Sequence, residues 1–178
     1  MKFDIELYKT IIGGNCIAFI GAGISAALGY PDWKTLCERA LTLSQSQITT
    51  VDAQEIKDLI AREKFSEALE FMQSKISRGT MLKHLETLLV ASKPDNGSTY
   101  KYLAAWPFSC YLTTNFDNEI ERHLTTQGKS FLVYGNTAND LAIIHNGMNG
   151  YIFKLHSDFD HMNDAIVTSS DYERFYNG

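Results

Sequence analysis

Apolar and polar positions follow two different rhythms along this chain. Four short segments are almost continuously apolar and rich in β-branched and aromatic residues: 16–20 (CIAFI), 109–113 (SCYLT), 131–134 (FLVY) and 151–155 (YIFKL). None alternates polar with apolar, so each predicts a strand covered on both faces, as in a parallel sheet. A shorter run at 166–168 predicts a fifth strand. Between these runs the spacing becomes helical. Residues 33–43 place Leu36, Cys37, Ala40, Leu41 and Leu43 at helical intervals, and 53–76 predicts two helices, with Asp52 and Glu55 spaced as a capping box. Leu82, Leu85, Leu88 and Leu89 share a helical face over 81–90, and 116–124 predicts a further helix directly behind the second strand. Strand, helices, strand, helix, strand, helix or loop, strand is the order of an α/β fold with a parallel sheet. The chain from 1 to 178 reads as a single domain. Its helical stretch from about 51 to 91 predicts an inserted helical module, with 93–98 (KPDNGS) as the exit turn.

Composition narrows the class. The 178 residues are 44% hydrophobic and 21% charged, as expected of a folded chain able to bury a core. A net charge of −5 argues against non-specific nucleic-acid binding, which needs many Lys and Arg against phosphates. No apolar run approaches the roughly 20 residues that span a bilayer. The amino terminus, MKFDIELYKT, carries acids where a signal peptide is basic, so the expected compartment is the cytoplasm. Cys16, Cys37 and Cys110 are far apart and form no C-x-x-C pair, which disfavours a disulfide framework or a cysteine zinc site. Cys16 and Cys110 lie in apolar runs and read as buried, inert thiols.

The first candidate site follows the first strand. Gly21-Ala22-Gly23-Ile24-Ser25-Ala26 fits G-x-G-x-x-A between a strand and a helix. In such a loop the first glycine permits a tight turn, the second admits a pyrophosphate close to the backbone, and the alanine lets the helix pack near the sheet. The helix start adds unpaired N–H groups and the positive end of its dipole. A dehydrogenase would place an acid about 20 residues on, at the end of a second strand. Here the chain is helical and Glu38 lies inside that helix, which weakens a redox reading.

Two more clusters fall at strand ends, where open α/β sheets bind ligands. Thr113-Thr114-Asn115-Phe116-Asp117 follows the second strand, so Asn115 and Asp117 face the crevice of the glycine loop; Asn, Asp and Thr are also the usual helix caps. Lys154-Leu155-His156-Ser157-Asp158 closes the fourth strand, and a histidine there suits a general base. His84 and His123 in helices, and His145 and His161 in polar loops, read as solvated bystanders. His156, Asp158, Asp160 and His161 together offer ligand types for a metal, but no second ligand group accompanies them, and no metal is expected.

Taken together, GAGISAALGYPDW at 21–33, TTNFD at 113–117 and KLH at 154–156 resemble the sirtuin family in order and spacing. They are most similar to its bacterial branch that degrades NAD in antiphage defence, as in Thoeris-type systems. The resemblance covers nearly the whole chain. It implies a Rossmann-like parallel sheet with helices on both faces, NAD across the strand ends, and a smaller helical module. It implies that Gly21, Ala22, Gly23 and Ser25 line the NAD phosphates and nicotinamide ribose, joined by Thr114. Asn115 would orient the attacking water or ribose, Asp117 would bind the nicotinamide carboxamide, and His156 would be the general base. Asp32 and Trp33 fall where the family has a flexible cofactor-binding loop.

The chain also departs from the family. The paired cysteines of the deacylases' zinc ribbon are absent, which disfavours protein deacylation. Ser157 stands where the family usually has Gly, at a cost if the position needs positive φ. The chain closes at FYNG soon after the histidine, as expected of a piece of a longer protein. Three functions follow. The first is NAD glycohydrolysis to nicotinamide and ADP-ribose. The second is a non-catalytic NAD or ADP-ribose sensing module, and the third a nicotinamide-dependent oxidoreductase. An attached or associated sensor or effector domain and a homo-oligomer are the expected partners, without nucleic acid or membrane.

Overall fold

The computed structural model describes residues 4–90, 99–145 and 149–177, leaving aside the side chains of 138, 143–145, 159 and 160. The exit turn at 93–98 and the end of the helical insert at 91 lie outside the described residues. The elements in chain order are α1 (Ile5–Ile12), β1 (Ile17–Ile20), α2 (Ala22–Ala26), α3 (Trp33–Leu43), α4 (Thr50–Ala61), α5 (Phe65–Lys75) and α6 (Arg78–Leu88). They continue with α7 (Thr99–Ala105), β2 (Cys110–Thr113), α8 (Glu119–Thr126), β3 (Leu132–Tyr134), α9 (Ala138–His145), β4 (Tyr151–Lys154), a 3₁₀ segment (Phe159–Asp164) and α10 (Ser169–Asn177). Two compact units result: Met1–Leu28 with Lys93–Asp158, and Gly29–Ser92 with Phe159–Gly178.

The first unit is the sheet, a four-stranded, all-parallel array in the order β1-β2-β4-β3. Helices flank it, as expected of a Rossmann-like α/β fold. Residues alternate between its faces. Ala18, Ile20, Tyr111, Thr113, Ile152 and Lys154 share one buried face. The Tyr111 hydroxyl donates to Leu103 O of α7 there, and Lys154 reaches Glu121 of α8. On the other face Cys110, Tyr151 and Phe153 form a small core edged by Leu112, Tyr134 and Leu155.

The expectation that each strand is covered on both faces fails at the two edges. Ile17 and Phe19 of β1 are 53% and 65% exposed, and Leu132 and Val133 of β3 are 58% and 45% exposed. Edge strands have a neighbour on one side only, so continuous apolar runs there need not signal double burial. Cys110 is buried as expected, whereas Cys16 is only partly so.

The second unit is helical. Leu36, Cys37, Ala40 and Leu41 of α3 meet Ile56 and Ile60 of α4, Leu69 and Met72 of α5, and Met81, Leu82 and Leu85 of α6 in one core. Burial raises the Cys37 thiol to about 12, so it stays an inert apolar group. Three of its helix starts carry side-chain caps: Asp32 accepts from Thr35 N, Thr49 from Asp52 N and Ser77 from Thr80 N, whereas α5 starts at Lys64 without one. The box expected from Asp52 and Glu55 therefore sits three residues earlier, where the Thr49 hydroxyl also donates to Asp52.

The fifth strand expected at 166–168 does not form. The N–H groups of Val167 and Thr168 donate to the Asp171 carboxylate, which opens α10 instead of a sheet ladder. Burial would raise that carboxyl. The Thr168 N–H and the Arg78 guanidinium outweigh burial and hold it below the usual range. The helix expected from 116 starts only at Glu119, leaving 114–118 as a loop.

Candidate functional site

The register brings the three motifs to one end of the sheet. Ile20 pairs with Thr113 and Thr113 with Lys154, so Gly21, Thr114 and Leu155 leave three neighbouring parallel strands at the same level. Thr113 ties two of them together: its hydroxyl donates to Ile20 O at 3.1 Å and accepts from Asn115 N at 3.0 Å. Thr114 N also donates to Ile20 O.

Behind these ends lies a buried polar cluster. The Asn115 Nδ2 donates to Gly21 O at 3.1 Å, Ser25 Oγ at 2.9 Å and Tyr100 OH at 3.1 Å. Gly21 O only accepts, which fixes which end of the carboxamide faces it. Asn115 Oδ1 is then a buried acceptor with no hydrogen-bond partner among the described residues. Asp117 is also committed. Its Oδ2 accepts from Ser25 at 2.7 Å, and its Oδ1 accepts from Tyr100 OH at 3.3 Å and from Glu119 N at 3.1 Å. Asp117 thus closes the turn into α8 as well as bracing Ser25.

Tyr100 had no signal in the sequence, because it stands outside every motif on α7. Its ring stacks on His123 at 5.9 Å and 10°. His123, expected to be a solvated bystander, is buried there. Burial pushes the Tyr100 phenol well above its ordinary value.

The glycine loop differs in detail from its expected form. Gly21 has φ −115°, an extended conformation any residue adopts, so no tight turn requires it. Ala26 is exposed rather than packed against the sheet. What the glycines supply is room: a Cβ on Gly21 or Gly23 would meet nothing within 4 Å. Ala22 and Gly23 are exposed beside them, and Ser25 is buried. This is an open backbone cradle next to the polar cluster.

At the end of β4, Lys154 is fully buried and its Nζ donates to Asp117 O at 2.7 Å, Asn118 Oδ1 at 2.6 Å and the Glu121 carboxylate at 2.7 Å. Burial raises the Glu121 carboxyl, and the Lys154 ammonium opposes that rise. The lysine of one motif therefore fastens the loop of another. His156 is buried, and desolvation lowers it to about 4, so its imidazole is neutral at neutral pH. Ser157 has φ +78°, the left-handed conformation that glycine adopts freely.

Asp32 and Trp33 belong to the helical unit. Asp32 is the cap of α3, and the Thr35 hydrogen bond lowers its carboxyl. Trp33 lines a cavity of about 160 Å³ with Phe65, Ser66 and Tyr172. Among the described residues no three His, Cys, Asp or Glu side chains gather as a metal-holding group. The Asp160 side chain lies outside that description. No helix among the described residues is long and apolar enough to cross a membrane.

A parallel sheet with a glycine loop, an asparagine loop and a histidine at adjacent strand ends defines a Rossmann-like α/β fold. Residues 109–178 match the SIR2-like domain family. The chain is 29% identical over 171 residues to "NAD(+) hydrolase ThsA" of Acinetobacter baumannii (strain 532279), covering 96% of this chain and 33% of that protein. It is 27% identical over 173 residues to the protein of the same name from Bacillus cereus (strain MSX-D12), covering 97% and 34%. The one from Cytobacillus dafuensis is 26% identical over 174 residues, covering 96% and 32%. These similarities support a Thoeris-type sirtuin-like family for the chain. The chain spans about a third of the length of the curated relatives it matches.

Proposed function

We propose that this chain is the NAD-cleaving part of an antiphage-defence protein, acting in the cytoplasm and hydrolysing NAD to nicotinamide and ADP-ribose. The observation that carries this reading is the register: three motifs leave adjacent parallel strands at one level, with Asn115 Oδ1 a buried acceptor lacking a donor beside a cradle with room at Gly21 and Gly23. The backbone of 21–23, with Ala22, Ser25 and Thr114, is assigned to the phosphates and ribose. Asn115 Oδ1 is assigned to the attacking water, and Asp117 to the nicotinamide side through its hold on Ser25. Asp32 and Trp33 are assigned to the cofactor loop on the resemblance alone.

The chemistry needs no acid. Nicotinamide in NAD is already cationic, so its bond to ribose C1′ breaks with the electron pair returning to the pyridine nitrogen. Water forms the new C–O bond through an oxocarbenium-like transition state, as in glycoside hydrolysis. Its proton passes to His156 and then to solvent. A neutral imidazole accepts that proton, and its low basicity makes it a late base, effective once water is acidified by bonding to C1′.

The test is nicotinamide release from NAD by the wild-type chain, Asn115→Ala and His156→Ala. The reading expects release by the wild type and a fall of about 10²-fold or more in each variant. Release that persists undiminished in His156→Ala removes the base. Binding of NAD without any release transfers the chain to a sensing module, a role that the weak basicity of His156 would suit.

A further inference from the structure

Tyr100 touches all three motif side chains of the polar cluster. Its hydroxyl lies 2.8 Å from Ser25 Oγ, 3.1 Å from Asn115 Nδ2 and 3.3 Å from Asp117 Oδ1. The proton arrangement is constrained. Asp117 is an acceptor, and Ser25 stands 2.7 Å from it, so the single Ser25 proton goes to the carboxylate. The Tyr100 proton then goes to Ser25 Oγ or Asp117, and in both cases the phenol oxygen keeps a lone pair for Asn115 Nδ2. The Asn115 NH₂ thus meets acceptors on all sides, at Gly21 O, Ser25 Oγ and Tyr100 OH.

We propose that Tyr100 is a positioning residue for Asn115: its hydroxyl acts together with Gly21 O and Ser25 Oγ to hold the carboxamide in the orientation that leaves Oδ1 as the acceptor for the reacting water. The inference rests on the hydrolase reading for its consequence in turnover, though not for the lock itself. Tyr100 is suited to the part. Its ring is wedged in the first unit by the stack on His123, and only 1% of the residue is exposed. Helix α7 thereby links to the strand ends through one phenol.

Tyr100→Phe keeps the ring and its stack while removing the hydroxyl. Two readouts follow on the same full chain. Hydrogen exchange of the Asn115 side-chain amide, followed by ¹⁵N NMR without NAD, is slow in the wild type and about tenfold faster in Tyr100→Phe. Steady-state nicotinamide release shows kcat lowered about tenfold or more with KM changed less than about threefold, because one oriented hydrogen bond is lost. An unchanged exchange rate or an unchanged kcat overturns the proposal. A wild-type chain that releases no nicotinamide sinks the hydrolase reading, while the exchange arm still decides the lock. If Tyr100→Phe does not fold, the wild type suffices: an Asn115 amide exchanging at the rate of a free carboxamide overturns the lock by itself.

Discussion

Ser157 shows how a single side chain can sit against the preference of its backbone. Its φ of +78° puts a Cβ where L-residues are disfavoured by roughly 1–2 kcal/mol. The hydroxyl complicates a direct Ser-to-Gly comparison, so Ala is the proper reference. Ser157→Gly should be more stable than Ser157→Ala by about 1 kcal/mol in urea denaturation. Equal midpoints would mean that the backbone does not hold that conformation in solution. His156 makes the second prediction at this scale. Its folded pKa of about 4 lies below the ordinary 6.5, so the unfolded chain binds its proton first as pH falls. Stability from this group is complete above about 6.5 and is lost as pH drops toward 4. A His156→Gln variant should show a shallower stability decline across that window, and the acid limb of wild-type turnover should lie below pH 5. A limb near 6.5 would show an ordinary, solvated imidazole.

Individual elements explain why part of the site was legible from sequence and part was not. The places of Ser25, Asn115 and His156 just beyond β1, β2 and β4 were legible because each follows a strand run within a short, ordered motif. Tyr100 and Glu121 were not: each lies on a helix face with no spacing that marks a polar partner. The caps misled in a similar way, since Thr49 with Asp52 and Asp52 with Glu55 each place an acid three residues after a residue able to cap. The run at 166–168 is apolar enough for a strand, but Asp171 sits close enough in sequence to capture its N–H groups first. Lys154 supplies the prediction at this scale. Lys154→Met leaves the Glu121 carboxylate buried without its cation and should cost about 3–5 kcal/mol in thermal or urea denaturation. Adding Glu121→Leu should recover most of that stability. It should not recover turnover, because the 114–118 loop has lost its anchor at Asp117 O and Asn118. Full recovery of both would reduce the lysine to a core-filling role.

At the scale of the whole molecule, the four main strands, their parallel sense and the helices within 33–88 were all readable from hydrophobic spacing. What spacing missed was coverage. The same apolar runs serve β2 and β4, buried in the middle of the sheet, and β1 and β3, exposed at its edges. A run of Ile, Phe or Leu reports what a strand prefers, and neighbours decide whether that preference is met. Each of the two units holds its own core, the sheet around Cys110, Tyr151 and Phe153, and the helices around Leu69, Met72 and Met81. The most direct measurement of the central claim is a crystal structure of the His156→Ala variant soaked with NAD. The account predicts the pyrophosphate against the backbone of Gly21 to Gly23 and the nicotinamide ribose within about 3.5 Å, directly or through one water, of Asn115 Oδ1. NAD bound with its nicotinamide ribose away from the ends of β1, β2 and β4 would contradict it.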